Sequence, residues 1–214
     1  MHPKHLFRLL PIAIVLGMSI GFGWQYFQEQ QATRLDYDHP SPLPTQPKKT
    51  IRAKRNPSAP QSEVWQVVTG SVYDGDTLRL KKGHRILKIR LCGMDAPETK
   101  QPRGMESRDT LKALIAKGDG TVIVTPVEND RYGRLVAELF VQPRPGTGYQ
   151  EGEEIFLNAE MVKLGLAYDY KQFSGRCPNG DAIAQAEEIA QASKVGVWSD
   201  SNSVKPWDWR RVNR

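Results

Sequence analysis

The sequence predicts an α+β fold: a five-stranded OB-type β-barrel with about three helices, occupying residues 63–214. Five short segments alternate apolar and polar residues between turn signals, three others carry helical periodicity, and the strands precede and flank the helices. About 150 residues are enough to bury one sizeable core, and five strands with helices interposed and appended fit a small barrel.

Residues 64–72, 76–81 and 86–92 read as the first three strands, the last two separated by Lys81, Lys82, Gly83 and His84, a hairpin signal. Ile89 and Leu91 alternate with Arg90 and Cys92, so the first pair should face the core and the second the opposite side. That leaves Arg90 free to reach a site outside the barrel. Met105 to Lys117 reads as a helix, with Leu111, Leu114 and Ile115 on one stripe and Gly118 as its stop. Val122 to Val124 and Leu135 to Val141 give two more strands around a bend at Tyr132 and Gly133. Asn158 to Leu166 is a helix closed by Gly165, and Asp181 to Ser193 is one rich in Ala and Glu. Trp198 and Trp207 are expected to pack the C-terminal segment onto the domain.

The N-terminal part differs in kind. Residues 1–30 start with Lys4 and Arg8 and then run uncharged from Leu9 to Phe27, about the length of one membrane-spanning helix. No small-residue cleavage site follows, so an uncleaved signal anchor is favoured over a cleaved signal peptide. The basic residues before it predict a cytoplasmic N-terminus and an exported domain, membrane-anchored or secreted. Residues 31–62 hold six prolines and few large apolar side chains, the composition of a disordered linker.

The chain carries a net +6, but residues 1–62 account for +5 and the rest for +1. A global field therefore does not hold nucleic acid on the domain, and any phosphate affinity must come from a local arrangement of Arg. The basic cluster from Lys48 to Arg55 could touch anionic lipid or nucleic acid, or simply be solvated.

Such a local arrangement is present. Asp-Gly-Asp-Thr at 74–77, Ile-Arg-Leu-Cys-Gly-Met-Asp-Ala-Pro-Glu at 89–98 and Asp-Arg-Tyr-Gly-Arg at 130–134 together supply what phosphodiester hydrolysis needs. Charge builds on the equatorial phosphate oxygens in the transition state, and Arg90 and Arg134 can bind it through planar, permanently charged forks. Glu98 can take the proton of the attacking water. Asp76 and Asp95, with a backbone carbonyl and waters, suit a hard divalent cation. No His or Cys pair has zinc spacing. Singly, each motif is an ordinary turn or strand residue; jointly they point to a metal-dependent nuclease.

These motifs resemble the staphylococcal nuclease (thermonuclease) family, from about Trp65 to about Arg211. The likeness includes Gln-Pro-Arg-Gly-Met-Glu at 101–106, Leu-Asn-Ala-Glu-Met-Val-Lys-Leu-Gly-Leu-Ala at 157–167, Gly-Val-Trp at 196–198 and Pro-Trp-Asp-Trp-Arg at 206–210. The resemblance implies the same barrel and a calcium-dependent endonuclease acting on DNA or RNA and leaving 3′-phosphate ends. It implies that Asp76, Asp95 and the Ala96 carbonyl bind Ca2+, that Arg90, Glu98 and Arg134 are catalytic, and that Tyr132 lies beside the substrate phosphate. The best-known family member has Thr where this chain has Ala96. Tyr168 and Tyr170 both remain candidates for a further substrate contact.

A non-catalytic OB-fold module binding nucleic acid is the alternative, since degenerate copies of such domains lose an Arg or the Glu; here all five positions are filled. A surface attachment element is a third reading. The protein is expected to act as a monomer. Its two cysteines, Cys92 and Cys177, are expected to pair if the domain is exported, with two free thiols as the competing expectation.

Overall fold

A computed structural model describes residues 62–150 and 152–213. The expected anchor at 1–30, and the linker apart from Ser62, lie outside the described residues.

Strand β1 (Glu63–Val67) buries Trp65, over whose ring the cations of Arg85 and Lys82 are placed. It stops short of the expected 64–72. The Ser71 N–H donates to the Val68 carbonyl and Gly70 takes φ +73°, so the chain turns before it can pair further. β2 (Thr77–Lys82) and β3 (Arg85–Leu91) form the hairpin, with Leu78, Leu80, Ile89 and Leu91 all buried on the inner face.

β4 (Met94–Asp95) is a short strand that leads to helix α1 (Gly104–Ala116), whose Leu111, Leu114 and Ile115 enter the core as their spacing predicts. β5 (Thr121–Asn129) is longer than the expected Val122–Val124 because it runs through Pro126. The register shifts between Pro126 and Glu128, and this irregularity lets the strand continue past a residue with no N–H. β6 (Leu135–Val141) follows as expected.

The remaining elements are β7 (Ile155–Phe156), α2 (Leu157–Lys163), β8 (Tyr168–Asp169), α3 (Lys171–Ser174) and α4 (Gly180–Ser193). A 3-10 turn (Gly196–Trp198) and α5 (Pro206–Val212) complete the described chain. The three long-range helical readings are therefore present, and α3 and α5 are short additions that weak periodicity did not reveal.

The strands lie in the order β3-β2-β1-β5-β6-β7, and β3 also pairs with β6. That parallel pairing, with Ile89 opposite Leu135, Arg90 opposite Val136 and Leu91 opposite Ala137, closes a five-stranded mixed barrel. The buried Asn158 of α2 sits on the seam. Its amide donates to the Cys92 carbonyl (2.9 Å) and accepts from the Leu139 N–H (3.0 Å), which satisfies backbone groups that the closure would otherwise strand.

Cys92, just past β3, is buried and bonded to Cys177, in the loop before α4, which is the pairing expected of an exported domain. Helices cover this part of the outer barrel, so a position opposite the core here is a second interior.

Candidate active site

β2, β3 and β4 converge at one end of the barrel and bring the charged motifs together. The Asp76 and Asp95 side chains are 1% and 0% exposed. Asp76 Oδ1 accepts from the Thr77 hydroxyl (3.0 Å) and Oδ2 from the Ala96 N–H (2.8 Å). Arg90 reaches across with one guanidinium nitrogen on Asp76 Oδ1 and the other on Asp95 Oδ1 (2.6 Å). Burying two carboxylates is costly unless cations and donors compensate them, and the site provides both.

Asp74 holds the β2 entry turn. Its Oδ1 accepts the backbone N–H groups of Asp76 (3.0 Å) and Thr77 (2.6 Å). Burial raises its pKa above the usual carboxylate range, with Arg90 and the Thr77 N–H opposing the rise.

Glu98 follows β4 on the loop that opens α1. Gln101 clamps this loop, its Oε1 accepting the Glu98 N–H (3.2 Å) and its own N–H donating to the Glu98 carbonyl (2.8 Å). Gly104 is required where it stands, because a Cβ there would overlap the Glu98 carbonyl.

Arg134 comes from the turn before β6. Asp130 Oδ1 accepts the N–H groups of Tyr132 and Arg134 (2.9 Å each), and its Oδ2 binds Arg134 Nε (2.7 Å). Burial works against ionisation of Asp130, but these bonds outweigh it and hold its pKa below the usual value. The Arg134 guanidinium lies 5.5 Å from the ring centre of Tyr132, a residue 71% exposed.

Of the two tyrosines that spacing could not separate, Tyr168 is 2% exposed, its hydroxyl 2.9 Å from Ser203 Oγ and its ring edge-on to Trp198 and Trp207. Tyr170 stacks flat on Trp207, centroids 5.0 Å apart and planes 5° from parallel. Both tryptophans thus pack the C-terminal segment against the domain.

One residue at the centre escaped the sequence reading. Arg210, on α5, binds Asp95 with both terminal nitrogens (2.6 and 3.1 Å) and Glu98 Oε1 with one of them (2.8 Å). Burial works to lower its pKa, but Asp95 and then Glu98 outweigh it, so the group stays charged above its usual value. It closes the Pro-Trp-Asp-Trp-Arg motif at 206–210, but the motif gave it no role, since its partners lie 115 and 112 residues away.

Among the described residues no three His, Cys, Asp or Glu side chains gather into a metal cage. What is present is two buried carboxylates, which already attract two guanidinium groups, beside the backbone of Ala96. The oxygen donors of this set are of the kind a hard divalent cation takes, together with several waters.

The family model of staphylococcal nuclease homologues matches residues 88–200. An uncharacterized endonuclease of Haemophilus influenzae is 38% identical over 144 residues, 67% of this chain and 71% of that protein. A micrococcal nuclease of Shigella flexneri is 32% identical over 143 residues, 67% of this chain and 79% of its own length. A probable staphylococcal-like nuclease of Oryza sativa is 35% identical over 130 residues, 61% of this chain and 30% of the plant protein. With a match across more than half of its length and with these relatives, the chain belongs to the staphylococcal nuclease family and is a nuclease.

Proposed function

We propose that this nuclease is a calcium-dependent endonuclease that hydrolyses DNA or RNA and leaves 3′-phosphate ends. The observation that carries the reading is the meeting of Asp76, Asp95, Arg90 and Glu98 at one end of the barrel, with two of the four linked directly through Arg90. A binding module has no need of a carboxylate base beside a cation site, which disfavours the non-catalytic alternative.

In this reading Arg90 and Arg134 grip the scissile phosphate and stabilise the charge that grows on it. Glu98 accepts the proton of the attacking water, and the bond from phosphorus to the 5′ oxygen breaks, leaving a 3′-phosphate and a 5′-hydroxyl. Tyr132 lies over the same phosphate, and Tyr168 or Tyr170 supports the neighbouring nucleotide. Asp76, Asp95 and the Ala96 carbonyl would hold calcium, which when bound supplies fixed positive charge to a phosphate oxygen and acidifies water. A single chain contains every residue invoked, so a monomer suffices.

The bond between Cys92 and Cys177 supports an exported domain, since disulfides persist in oxidising compartments. No helix among the described residues is long and apolar enough to cross a membrane; residues 1–30, which lie outside them, are the proposed anchor or signal on their uncharged run from Leu9 to Phe27.

Residues 63–214 incubated with single- and double-stranded DNA and RNA, in calcium, magnesium or excess chelator, test the proposal. Cutting only with calcium, and phosphate at the 3′ end of the products, is expected. Full activity in chelator would overturn the metal assignment, and no cutting of any substrate would overturn the catalytic one.

A further inference from the structure

Helix α5 lies beyond residues 88–200, where the family model matches, yet it is built into the site. Seven residues are too few to be helical alone, so packing must hold them. Pro206 opens the helix and is buried; Trp207 stacks on Tyr170; Gln101, the clamp of the Glu98 loop, also donates to the Val204 carbonyl. Ser203 meets the Tyr168 hydroxyl, and Arg103 donates to Ser199 Oγ (2.9 Å). These anchors fix where the last turn points.

Two arginines occupy that turn, and they differ. Arg211 pairs with Asp208 on its own helix and its side chain is 77% exposed. Arg210 points inward, 36% exposed, with its fork across Asp95 and Glu98. Its shorter bond to Asp95 is on Oδ2, whereas Arg90 uses the Oδ1 atoms of Asp76 and Asp95. Arg210 also reaches Asp95 Oδ1 at 3.1 Å and makes no bond to Asp76. Among the described residues, Arg210 is the one side chain bonded to the Glu98 carboxylate.

Resting on the reading of Glu98 as the base, we infer that Arg210 is a positioning residue for the hydrolysis. It ties the base carboxylate to the cation carboxylate and sets their separation, so the C-terminal helix is part of the active site. Glu98 is about one-third exposed on a loop and, without Arg210, samples several rotamers. With Oε1 held by the guanidinium, Oε2 stays free to accept the proton. Two carboxylates bound by one planar fork keep a fixed geometry, and small displacements of a base are costly in rate.

The test compares full-length Arg210→Ala, Arg210→Lys and Arg211→Ala with the unaltered protein on a DNA oligonucleotide in calcium. Turnover and KM are measured separately, calcium affinity by calorimetry, and folding by thermal melting. Arg210→Ala should lower kcat by about 10–100-fold, with KM moving less than about 3-fold. It should also tighten calcium binding by about 3–10-fold, because a fixed positive charge leaves the cation's neighbourhood. Arg210→Lys should recover part of the rate, and Arg211→Ala should match the unaltered protein. An unchanged kcat in Arg210→Ala would overturn the inference and leave α5 a structural clasp. Faster cutting at limiting calcium would overturn it too, showing a latch that competes with the cation. If the alanine variant melts early, Arg210→Gln, of similar reach but uncharged, reads the same quantities, and an unchanged kcat there is equally fatal. Inactivity of the unaltered protein would instead sink the nuclease mechanism on which the inference rests.

Discussion

Reduction of the bond between Cys92 and Cys177 should destabilise the domain far more than it alters the site. The bridge spans 85 residues of sequence, a segment that contains β4, α1, β5, β6, β7, α2, β8 and α3. In the chain-entropy description, a loop of that length constrains the unfolded chain by about 4–5 kcal/mol. Against a usual total of about 5–15 kcal/mol, this is about a quarter of the stability or more. For a domain of this size it corresponds to roughly 8–20 °C in Tm. The assay is urea unfolding of residues 63–214 followed by tryptophan fluorescence, with and without reductant, alongside the Cys92→Ala/Cys177→Ala variant. The midpoint should fall on reduction while the denaturant slope rises, because the released unfolded chain exposes more surface. Both cysteines are buried, so the double alanine variant should be no more stable than the reduced protein. A loss below about 1 kcal/mol, with the bond shown to be present before reduction, would refute the argument that loop closure is what the bridge contributes.

Arg90→Lys, Arg134→Lys and Glu98→Gln should each lower turnover by about 10²–10³ while Arg176→Lys, at an exposed pair with Glu128, changes little; unaltered rates in Glu98→Gln would move the base role elsewhere. Ala96→Thr should retain activity per folded molecule, since the expected ligand is a main-chain oxygen, but lose about 1–3 kcal/mol of stability by overpacking. The crowding there is tight: a Cβ built on Gly75 would stand 2.7 Å from Ala96 Cβ. Burial raises the pKa values of Glu138, Asp169 and Glu187, so over the range above ordinary carboxylate values the folded state holds more protons than the unfolded one. Their contribution to stability must then fall as pH rises through that window. Urea midpoints from pH 4 to 8 in the unaltered protein and in Glu187→Gln measure it, and a slope no shallower in the variant would discount Glu187.

What the sequence made legible was governed by short-range order. The Leu78 and Leu80 alternation, the Ile89 and Leu91 alternation and the stripe of Leu111, Leu114 and Ile115 each mark a buried face, and each is buried. The reading of β5 ended at Val124, because local alternation does not see the register shift that carries the strand past Pro126. For Cys92, alternation gave the side of the strand but not that this side is covered. The pair of Asp76 and Asp95 was legible from motif spacing, whereas Arg210 was not. Its bonds are made across more than a hundred residues, so the Pro-Trp-Asp-Trp-Arg motif that ends on it did not reveal its partners. The different settings of Tyr168, buried and edge-on to Trp207, and Tyr170, stacked flat on it, were likewise invisible, because they depend on a residue of the C-terminal segment.

The seam between β3 and β6 has a further consequence. Arg90 stands opposite Val136, two residues on from Arg134, so the backbones of the two arginines proposed to hold one phosphate are brought near each other by that parallel pairing. Parallel pairing of segments so far apart in sequence is among the slowest contacts a chain makes. If the proposed roles of Arg90 and Arg134 hold, a newly made, clipped or partly unfolded molecule with its barrel open would therefore carry every proposed catalytic side chain and still be harmless to nucleic acid. Cutting becomes an all-or-none signal of completed assembly, and in a mixture of folded and misfolded protein the rate counts closed barrels.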